Sequence, residues 1–271
     1  MNPISFMSSN FVARELGYRL EGGWPRATSA ANEFFQPIET FPERFSELLA
    51  DVRAMGFQWL DIWCAHLNWV WATEEHLAIA RELLDRHGLR VASLAGSFGA
   101  APEELEAACR VAAAVGTEIL SGDCRLVADR AAVASILERF GLKLAVENHD
   151  EGGPDDMLNL LEDGGGRIGT TVDTGWYGTY GYDPVRAVED LGELVFHVHL
   201  KDIEAPGGHV TCSLGCGSLP VEDVVAALWR TGYAGAISIE HEPEDRDPTE
   251  ECIASLAVLR GWLGKVSRPS P

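Results

Sequence analysis

The chain alternates between short apolar runs and longer amphipathic stretches, and this alternation constrains its fold more than any other feature. A short apolar run is typical of a strand buried on both faces, and the stretch after each run has helical periodicity. We count eight such pairs. The predicted strands are Ile4–Ser8, Trp59–Trp63, Arg90–Ala95, Glu118–Ser121, Leu142–Glu147, Ile168–Asp173, Leu194–Leu200 and Ala236–Glu240. The predicted helices begin near Pro42, Thr73, Ala101, Asp129, Pro154, Asp183, Pro220 and Thr249.

Strand–helix alternation implies a parallel sheet with right-handed crossovers. Eight repeats in 271 residues predict an α/β protein with a closed (β/α)8 TIM barrel, drawn as one domain over residues 1–271. The alternative is a doubly wound open sheet, which often carries a glycine-rich phosphate loop after its first strand. Here that position reads SSNFVARELGYRL and has no such motif. The Gly/Pro/Ser-rich segment Gly17–Phe35 is predicted to be a long loop over the barrel mouth that acts as a lid.

Composition excludes several classes of protein. Lys and Arg total 21 against 42 Asp and Glu, so the net charge is −21, which disfavours binding to nucleic acid and to anionic membranes. No apolar run is long enough for a transmembrane helix, and the N-terminus has no signal-peptide pattern, so a cytoplasmic location is expected. The six cysteines are expected to be reduced thiols. Homo-oligomerisation is left open.

Carboxylates and imidazoles end the last four predicted strands. The fifth strand ends at Glu147, the sixth at Asp173 and the eighth at Glu240, while the seventh carries His197 and His199. In a barrel these strand ends share the C-terminal rim, where active sites are built. Burying an unpaired charge there would cost free energy, so the charged groups at these four strand ends are expected to share a partner.

A divalent cation is the predicted partner. Three carboxylates and one imidazole suit roughly octahedral Mn²⁺, Mg²⁺, Co²⁺ or Zn²⁺, with Mn²⁺ favoured, and they leave positions for substrate oxygens. Such a site chelates a vicinal hydroxy-carbonyl unit, which is the reactive group of a sugar. The predicted ligands are Glu147, Asp173, His199 and Glu240, and His197, one layer deeper, is expected to be a core histidine.

Further candidates lie on the same rim. His149 faces the same way as Glu147 and could act as a base, and His66 is a second proton carrier. The predicted substrate-binding residues are Asp61, Trp63, Trp176 and Lys201.

Five segments resemble the xylose isomerase-like barrel superfamily of sugar isomerases and epimerases, which also includes metal-dependent apurinic endonucleases. They are AVENH (145–149), TVDTG (171–175), HVHLKD (197–202), LGCGSLPVEDVVAAL (214–228) with GYAG (232–235), and SIEHE (238–242). The resemblance covers the whole chain and implies that Glu147, Asp173, His199 and Glu240 are the metal ligands.

The chain departs from the best-known branches of this superfamily. Ketose 3-epimerases usually carry a histidine where this chain has Trp176, and an arginine after the metal histidine that is missing here. The endonucleases use additional histidines, and the third strand ends in ASLAGSFG without one. Together with the charge of −21, this predicts that nucleic acid is not a partner.

Three functions follow in order of preference. The first is a metal-dependent isomerase or epimerase of a sugar or sugar phosphate, in which Glu147 and Glu240 move the proton through an enediolate. The second is a lyase or dehydratase of a keto-sugar or keto-cyclitol, with His149 as base and His66 or another rim group as acid. The third is a sugar-binding barrel without catalysis, which the ligand set disfavours.

Overall fold

The computed structural model describes residues 1–151, 153–161 and 164–266. Within these ranges eight parallel strands close into a barrel in chain order, and the last strand pairs with the first. The barrel strands are β1 (Ile4–Met7), β2 (Trp59–Trp63), β3 (Arg90–Ser97), β4 (Ile119–Asp123), β5 (Lys143–Glu147), β6 (Ile168–Asp173), β7 (Val195–Leu200) and β10 (Ile237–Ile239). A short antiparallel hairpin, β8 (Asp202–Ile203) and β9 (Thr211–Cys212), follows β7.

Helices surround the barrel and connect its strands. They are α1 (Gly23–Phe35), α2 (Phe41–Ala54), α3 (Glu74–His87), α4 (Pro102–Val115), α5 (Arg130–Phe140), α6 (Pro154–Leu161), α7 (Thr174–Thr179), α8 (Pro184–Leu191), α9 (Val221–Arg230) and α10 (Thr249–Val266). Helix α3 shows why the termini fall where they do. Thr73 caps its first turn and Gly88 ends it in the left-handed conformation.

The closed parallel barrel confirms the predicted (β/α)8 fold. Strands β2 and β6 have the predicted bounds, and the other predicted strands overlap the observed ones. The predicted domain ends at Pro271, and residues 267–271 lie outside the described part of the chain. No helix among the described residues is long and apolar enough to cross a membrane. All six cysteines are free thiols, and four of them are buried.

The prediction of a loop over Gly17–Phe35 is wrong for its second half, which forms α1. The buried face of α1 is Ala27, Ala31 and Phe35, a spacing of four residues that is typical of a helix. The glycines and the proline that suggested a loop belong to the start of the helix. The segment lies close to the C-terminal end of the barrel, because the ring of Trp24 packs 5.9 Å from the ring of Trp63 at the end of β2.

The barrel interior is polar near its middle, although the packing around it is apolar. Side chains that lie there, fully or almost fully buried, are Ser5, Asp61, Ser93, Ser121, Thr171, His197 and Ser238. Buried polar groups need hydrogen-bond partners, and here Asp61 contacts Ser93, Ser238 and His197. The Ser5 hydroxyl has no hydrogen-bond partner among the described residues. This layer supports the residues at the strand ends directly above it.

Candidate active site

Four predicted metal ligands meet at the C-terminal end of the barrel. Glu147 ends β5, Asp173 ends β6, His199 is the fifth residue of β7, and Glu240 follows β10 directly. These strands are neighbours in the barrel. Each residue offers one ligand atom, and the four atoms lie within 4.8 Å of one another. The predicted convergence of the strand ends therefore exists in the structure.

His199 lies between two carboxylates. Its Nδ1 is 2.5 Å from Glu147 Oε1 and 3.3 Å from Glu240 Oε2, and its Nε2 is 3.4 Å from the Ser121 hydroxyl. Burial alone would lower the pKa of His199, but the two carboxylates raise that pKa well above its usual value. Burial alone would raise the pKa of Glu147, but the positive charge of His199 lowers that pKa to about 2.

Asp173 is held rigidly by its own backbone surroundings. Its Oδ1 accepts hydrogen bonds from the backbone N–H groups of Gly175 and Trp176 at the start of α7, at 2.7 and 3.0 Å. The side-chain amide of Asn148 bonds both the N–H and the carbonyl of Asp173. The second oxygen, Oδ2, is thereby fixed in direction.

Two carboxylate oxygens in this cluster carry unused acceptor capacity. Asp173 Oδ2 and Glu240 Oε2 are buried and have no hydrogen-bond partner among the described residues. The ammonium of Lys201 lies near both: its Nζ is 3.0 Å from Asp173 Oδ2 and 3.3 Å from Glu240 Oε2. Buried carboxylate oxygens without hydrogen bonds are unusual, and a cation is the partner that this donor set suits. The four residues therefore fit a divalent metal ion.

Lys201 is buried inside the cluster, with only 2% of its side chain exposed. Its Nζ contacts Asp173, Glu240 and Glu242, the last at 3.0 Å. These charges raise its pKa well above the usual value, although burial opposes them. One of its N–H groups donates a hydrogen bond to Glu242 Oε2, and Asp173 and Glu240 are paired with its charge without a hydrogen bond. The predicted substrate-binding group is thus occupied by protein oxygens.

Glu242 completes this part of the site. Its Oε1 accepts a 2.6 Å hydrogen bond from the Ser9 hydroxyl, and its Oε2 accepts one from Lys201. Burial and the neighbouring Glu240 carboxylate raise the pKa of Glu242 to about 7. Ser9 lies just after β1 and Lys201 just after β7, the two strands that flank β10.

Aromatic rings form the rim on the side of β6. Trp176 stacks on His209 with ring centroids 3.8 Å apart and lies 5.6 Å from the ring of His149. His149 Nε2 is 3.9 Å from Glu147 Oε2. Burial would lower the pKa of His149, whereas Glu147 and Asp173 raise it above its usual value. His149 and Trp176 thus lie beside the cluster of predicted metal ligands.

The candidates on and just after β2 lie elsewhere. Asp61 is fully buried beneath the cluster, where it pairs with His197 at 2.9 Å and accepts hydrogen bonds from Ser93 and Ser238. It has no surface that a substrate could contact in this structure.

His66 lies against α1 and is also buried. Its Nδ1 is 3.0 Å from the Ser8 hydroxyl, and its ring packs on Phe35 and Trp63. Burial, assisted by Arg14, lowers the pKa of His66 to about 3, so the ring is neutral near pH 7. Trp63 is 7% exposed, and its ring packs against both His66 and Trp24.

Two residues of the site carry no role in the sequence-based prediction. Glu242 follows Glu240 by two residues, and residues two apart in a strand face the same side. The sequence therefore contained a signal that could have placed Glu242 in the site. His209 lies in the loop between β8 and β9, and no periodic pattern marks it. It comes to the rim because the hairpin folds back over α7, where His209 Nδ1 is 2.8 Å from Thr179 Oγ1.

The family follows from this fold and site. Residues 49–262 match the family model of the xylose isomerase-like TIM barrel, and the chain belongs to that family. No curated protein sequence matches the chain.

Solved structures share the fold at low sequence identity. An L-ribulose 3-epimerase is 16% identical with a TM-score of 0.71, and 100% of both chains is covered. The probable 3-DHS dehydratase AsbF of Bacillus anthracis is 14% identical with a TM-score of 0.70, over 96% of this chain and 99% of that one. A D-tagatose 3-epimerase-like protein is 20% identical with a TM-score of 0.66, over 80% and 92%.

Proposed function

We propose that this protein is a divalent-metal-dependent isomerase or epimerase of a sugar or sugar phosphate. The observation that carries the proposal is the convergence of Glu147, Asp173, His199 and Glu240, with two buried carboxylate oxygens that have no hydrogen bond from any described residue. Similarity of fold to a ribulose epimerase and a tagatose epimerase-like protein supports the sugar substrate.

The four converging residues would hold the ion, and Mn²⁺ is favoured among Mn²⁺, Mg²⁺, Co²⁺ and Zn²⁺. When bound, the metal supplies polarisation of a substrate carbonyl and its neighbouring hydroxyl, which acidifies the adjacent C–H. A small carbohydrate is the proposed partner. The net charge of −21 supports the absence of nucleic acid among the partners.

Glu147 and Glu240 are the proposed proton carriers. Glu147 reaches His199 Nδ1 from β5, across β6, and Glu240 reaches it from the end of β10, which adjoins β7. One carboxylate takes the proton from the carbon beside the carbonyl, and the other returns a proton to the enediolate. The pKa of Glu147 is lowered to about 2, so its carboxylate is ionised near pH 7.

The remaining predicted residues take supporting roles in this proposal. Trp176 is the substrate contact at the rim, and Trp63 forms the wall below α1. Lys201 positions Asp173 and Glu240, and Asp61 supports the cluster from below. His66 is a packing residue, because a buried imidazole with a pKa of about 3 does not act as an acid near neutral pH.

A lyase or dehydratase of a keto-sugar or keto-cyclitol is the second candidate, and the position of His149 favours it. This imidazole is 46% exposed beside Glu147, a position that suits its proposed role as the base of the lyase reaction. The fold similarity to a 3-DHS dehydratase agrees with it. A sugar-binding barrel without catalysis is third, since binding alone does not require the ligand cluster.

Turnover in D₂O separates the first two candidates. With the Mn²⁺-loaded protein and a ketose, an isomerase incorporates about one deuterium and loses no group, whereas a lyase releases water or an aglycone and leaves an unsaturated ketone that absorbs in the near ultraviolet. Glu240→Gln should abolish nearly all isomerase turnover, because one of two proton carriers is gone. If His149→Ala is the more damaging change, the lyase is the correct reading.

A further inference from the structure

The residues two positions beyond the metal ligands form a second tier of the site. Residues two apart in extended chain face the same way, so Lys201 stands above His199 and Glu242 above Glu240. His149 lies in the bend after β5, with its Nε2 3.9 Å from Glu147 Oε2. After Asp173 the chain turns directly into α7, and Gly175 in its first turn is where an added Cβ would lie only 2.5 Å from Lys201 Cδ. The absence of a side chain there makes room for the lysine stem.

Contacts confirm that Glu242 belongs to this tier. Ser9 and Lys201 each reach both Glu240 and Glu242: the Ser9 hydroxyl is 3.5 Å from Glu240 Oε1 and 2.6 Å from Glu242 Oε1. Lys201 Nζ lies 3.3 Å from Glu240 Oε2 and 3.0 Å from Glu242 Oε2. The two glutamates are therefore stacked between the same pair of side chains.

We propose that Glu242 is a substrate-binding residue whose carboxylate accepts a hydrogen bond from a ketose hydroxyl outside the reacting carbonyl unit. This inference rests on the proposed function. A substrate chelated above Glu147, Asp173, His199 and Glu240 lies against the second tier. There Glu242 is fixed by Ser9 and Lys201, and each of its oxygens retains a second acceptor position.

The competing reading makes Glu242 a purely internal partner of Lys201. Two features favour the substrate contact. The accessible fraction of the side chain rises from 0% at Asp173 and 5% at Glu240 to 8% at Glu242, so Glu242 is the more open of the stacked pair. Lys201 also already contacts two other carboxylates, so it does not require a third for neutralisation.

Ketose binding to the Mn²⁺-loaded protein tests the proposal by calorimetry, with D-tagatose, L-ribulose and D-allulose as probes. Glu242→Ala should weaken the best ketose by about 10- to 100-fold, the range for a lost hydrogen bond to a charged group. Mn²⁺ affinity should change by less than about 3-fold, because Glu242 is not a ligand. Glu242→Gln keeps the side-chain volume and serves if the alanine variant folds poorly. Glu244→Gln, an exposed carboxylate two residues further along, is the matched control.

Monodeoxy forms of the same ketose separate contact from support. For one of them, the penalty of Glu242→Ala should fall to less than about 3-fold, because the hydroxyl that Glu242 binds is already missing. An equal penalty for every deoxy sugar, or a loss of Mn²⁺ affinity equal to that of Asp173→Asn, would overturn the inference. A wild-type protein that binds Mn²⁺ and none of the ketoses would instead overturn the proposed function, and this inference with it.

Discussion

Two clusters of acids and imidazoles are stacked inside the barrel, and they differ in how their oxygens are satisfied. The upper cluster is Glu147, Asp173, His199 and Glu240, and the lower cluster is Asp61 and His197 with Ser93 and Ser238. In the lower cluster Asp61 contacts two hydroxyls and one imidazole, all buried. In the upper cluster two carboxylate oxygens have no hydrogen bond within the part of the chain that the structure describes.

Both clusters consist of residue types that bind metals, and His199 lies close enough to belong to either grouping. Composition therefore does not separate a ligand site from a structural one. Hydrogen bonding does separate them. A buried carboxylate whose oxygens all accept hydrogen bonds is a structural part of the core, whereas one with unused acceptor positions can still bind a ligand. In the lower cluster the hydroxyls of Ser93 and Ser238 donate hydrogen bonds to the Asp61 carboxylate.

The largest expected effect is on the upper cluster. Asp173→Asn should weaken Mn²⁺ binding by more than about 100-fold, because loss of a supporting residue alone typically costs 10- to 100-fold and Asp173 is a proposed direct ligand. Calorimetric titration of the metal-free protein measures this. Asp123→Asn, at the exposed end of β4, is the matched control and should bind Mn²⁺ as the wild type does. Unchanged binding by Asp173→Asn would remove the distinction between the clusters.

The lower cluster should respond in stability. His197→Ala leaves the Asp61 carboxylate buried with one partner fewer, so the free energy of unfolding should fall by about 3 kcal/mol while Mn²⁺ affinity is retained. Urea unfolding and metal titration of the same variant check both parts. His199→Ala is the reciprocal variant and should lose the metal. If His197→Ala loses the metal instead, the assignment of the two histidines is reversed.

Acid should affect the lower cluster through Asp61. Burial would raise the pKa of this carboxyl group, but His197, His199 and Ser238 lower it to about 2. A depressed pKa contributes stability above the unfolded value near 4, and that contribution is lost as pH falls from about 4 to about 2. The stability difference between wild type and Asp61→Asn should therefore shrink by about 2 kcal/mol over this range. Urea unfolding at stepped pH measures it.

Asp85→Asn, on the exposed surface of α3, provides the control for this pH series. Its stability difference from the wild type should stay nearly constant, because its carboxylate lies in water in both states. A constant difference for Asp61→Asn as well would show that Asp61 titrates as an ordinary carboxyl group. The lower cluster would then not be the sealed polar layer that its hydrogen bonds indicate.

Much of the upper cluster was predictable because strand ends in a parallel barrel share one rim. That rule needs only the order of strands and the identity of each last residue, and it led to Glu147, Asp173, His199 and Glu240. It failed for Asp61, which lies inside β2 level with Met7 of β1. Depth along the barrel axis depends on the register between strands, and register is set by tertiary packing that a single sequence does not display.

Helix α1 and His209 escaped prediction for related reasons. The buried spacing of Ala27, Ala31 and Phe35 was present in the sequence, but neighbouring glycines and a proline favoured a loop. His209 reaches Trp176 only because the β8–β9 hairpin folds back over α7. Contacts between loops distant in sequence leave no periodic signal, so the rim of the site was less predictable than its centre.

The smallest expected effect falls on the boundary between the clusters. The Ser121 hydroxyl lies 3.4 Å from His199 Nε2 and 2.7 Å from Thr171 Oγ1, so it orients the imidazole from below. Orienting partners of metal ligands typically contribute 10- to 100-fold to affinity, and this contact is long, so Ser121→Ala should weaken Mn²⁺ binding by about 3- to 10-fold. Ser93→Ala makes the same change beside Asp61 and should lower stability while leaving Mn²⁺ affinity unchanged. Equal loss of Mn²⁺ affinity in both variants would mean that the two clusters act as one unit. Their different hydrogen bonding would then not mark the boundary between ligand site and core.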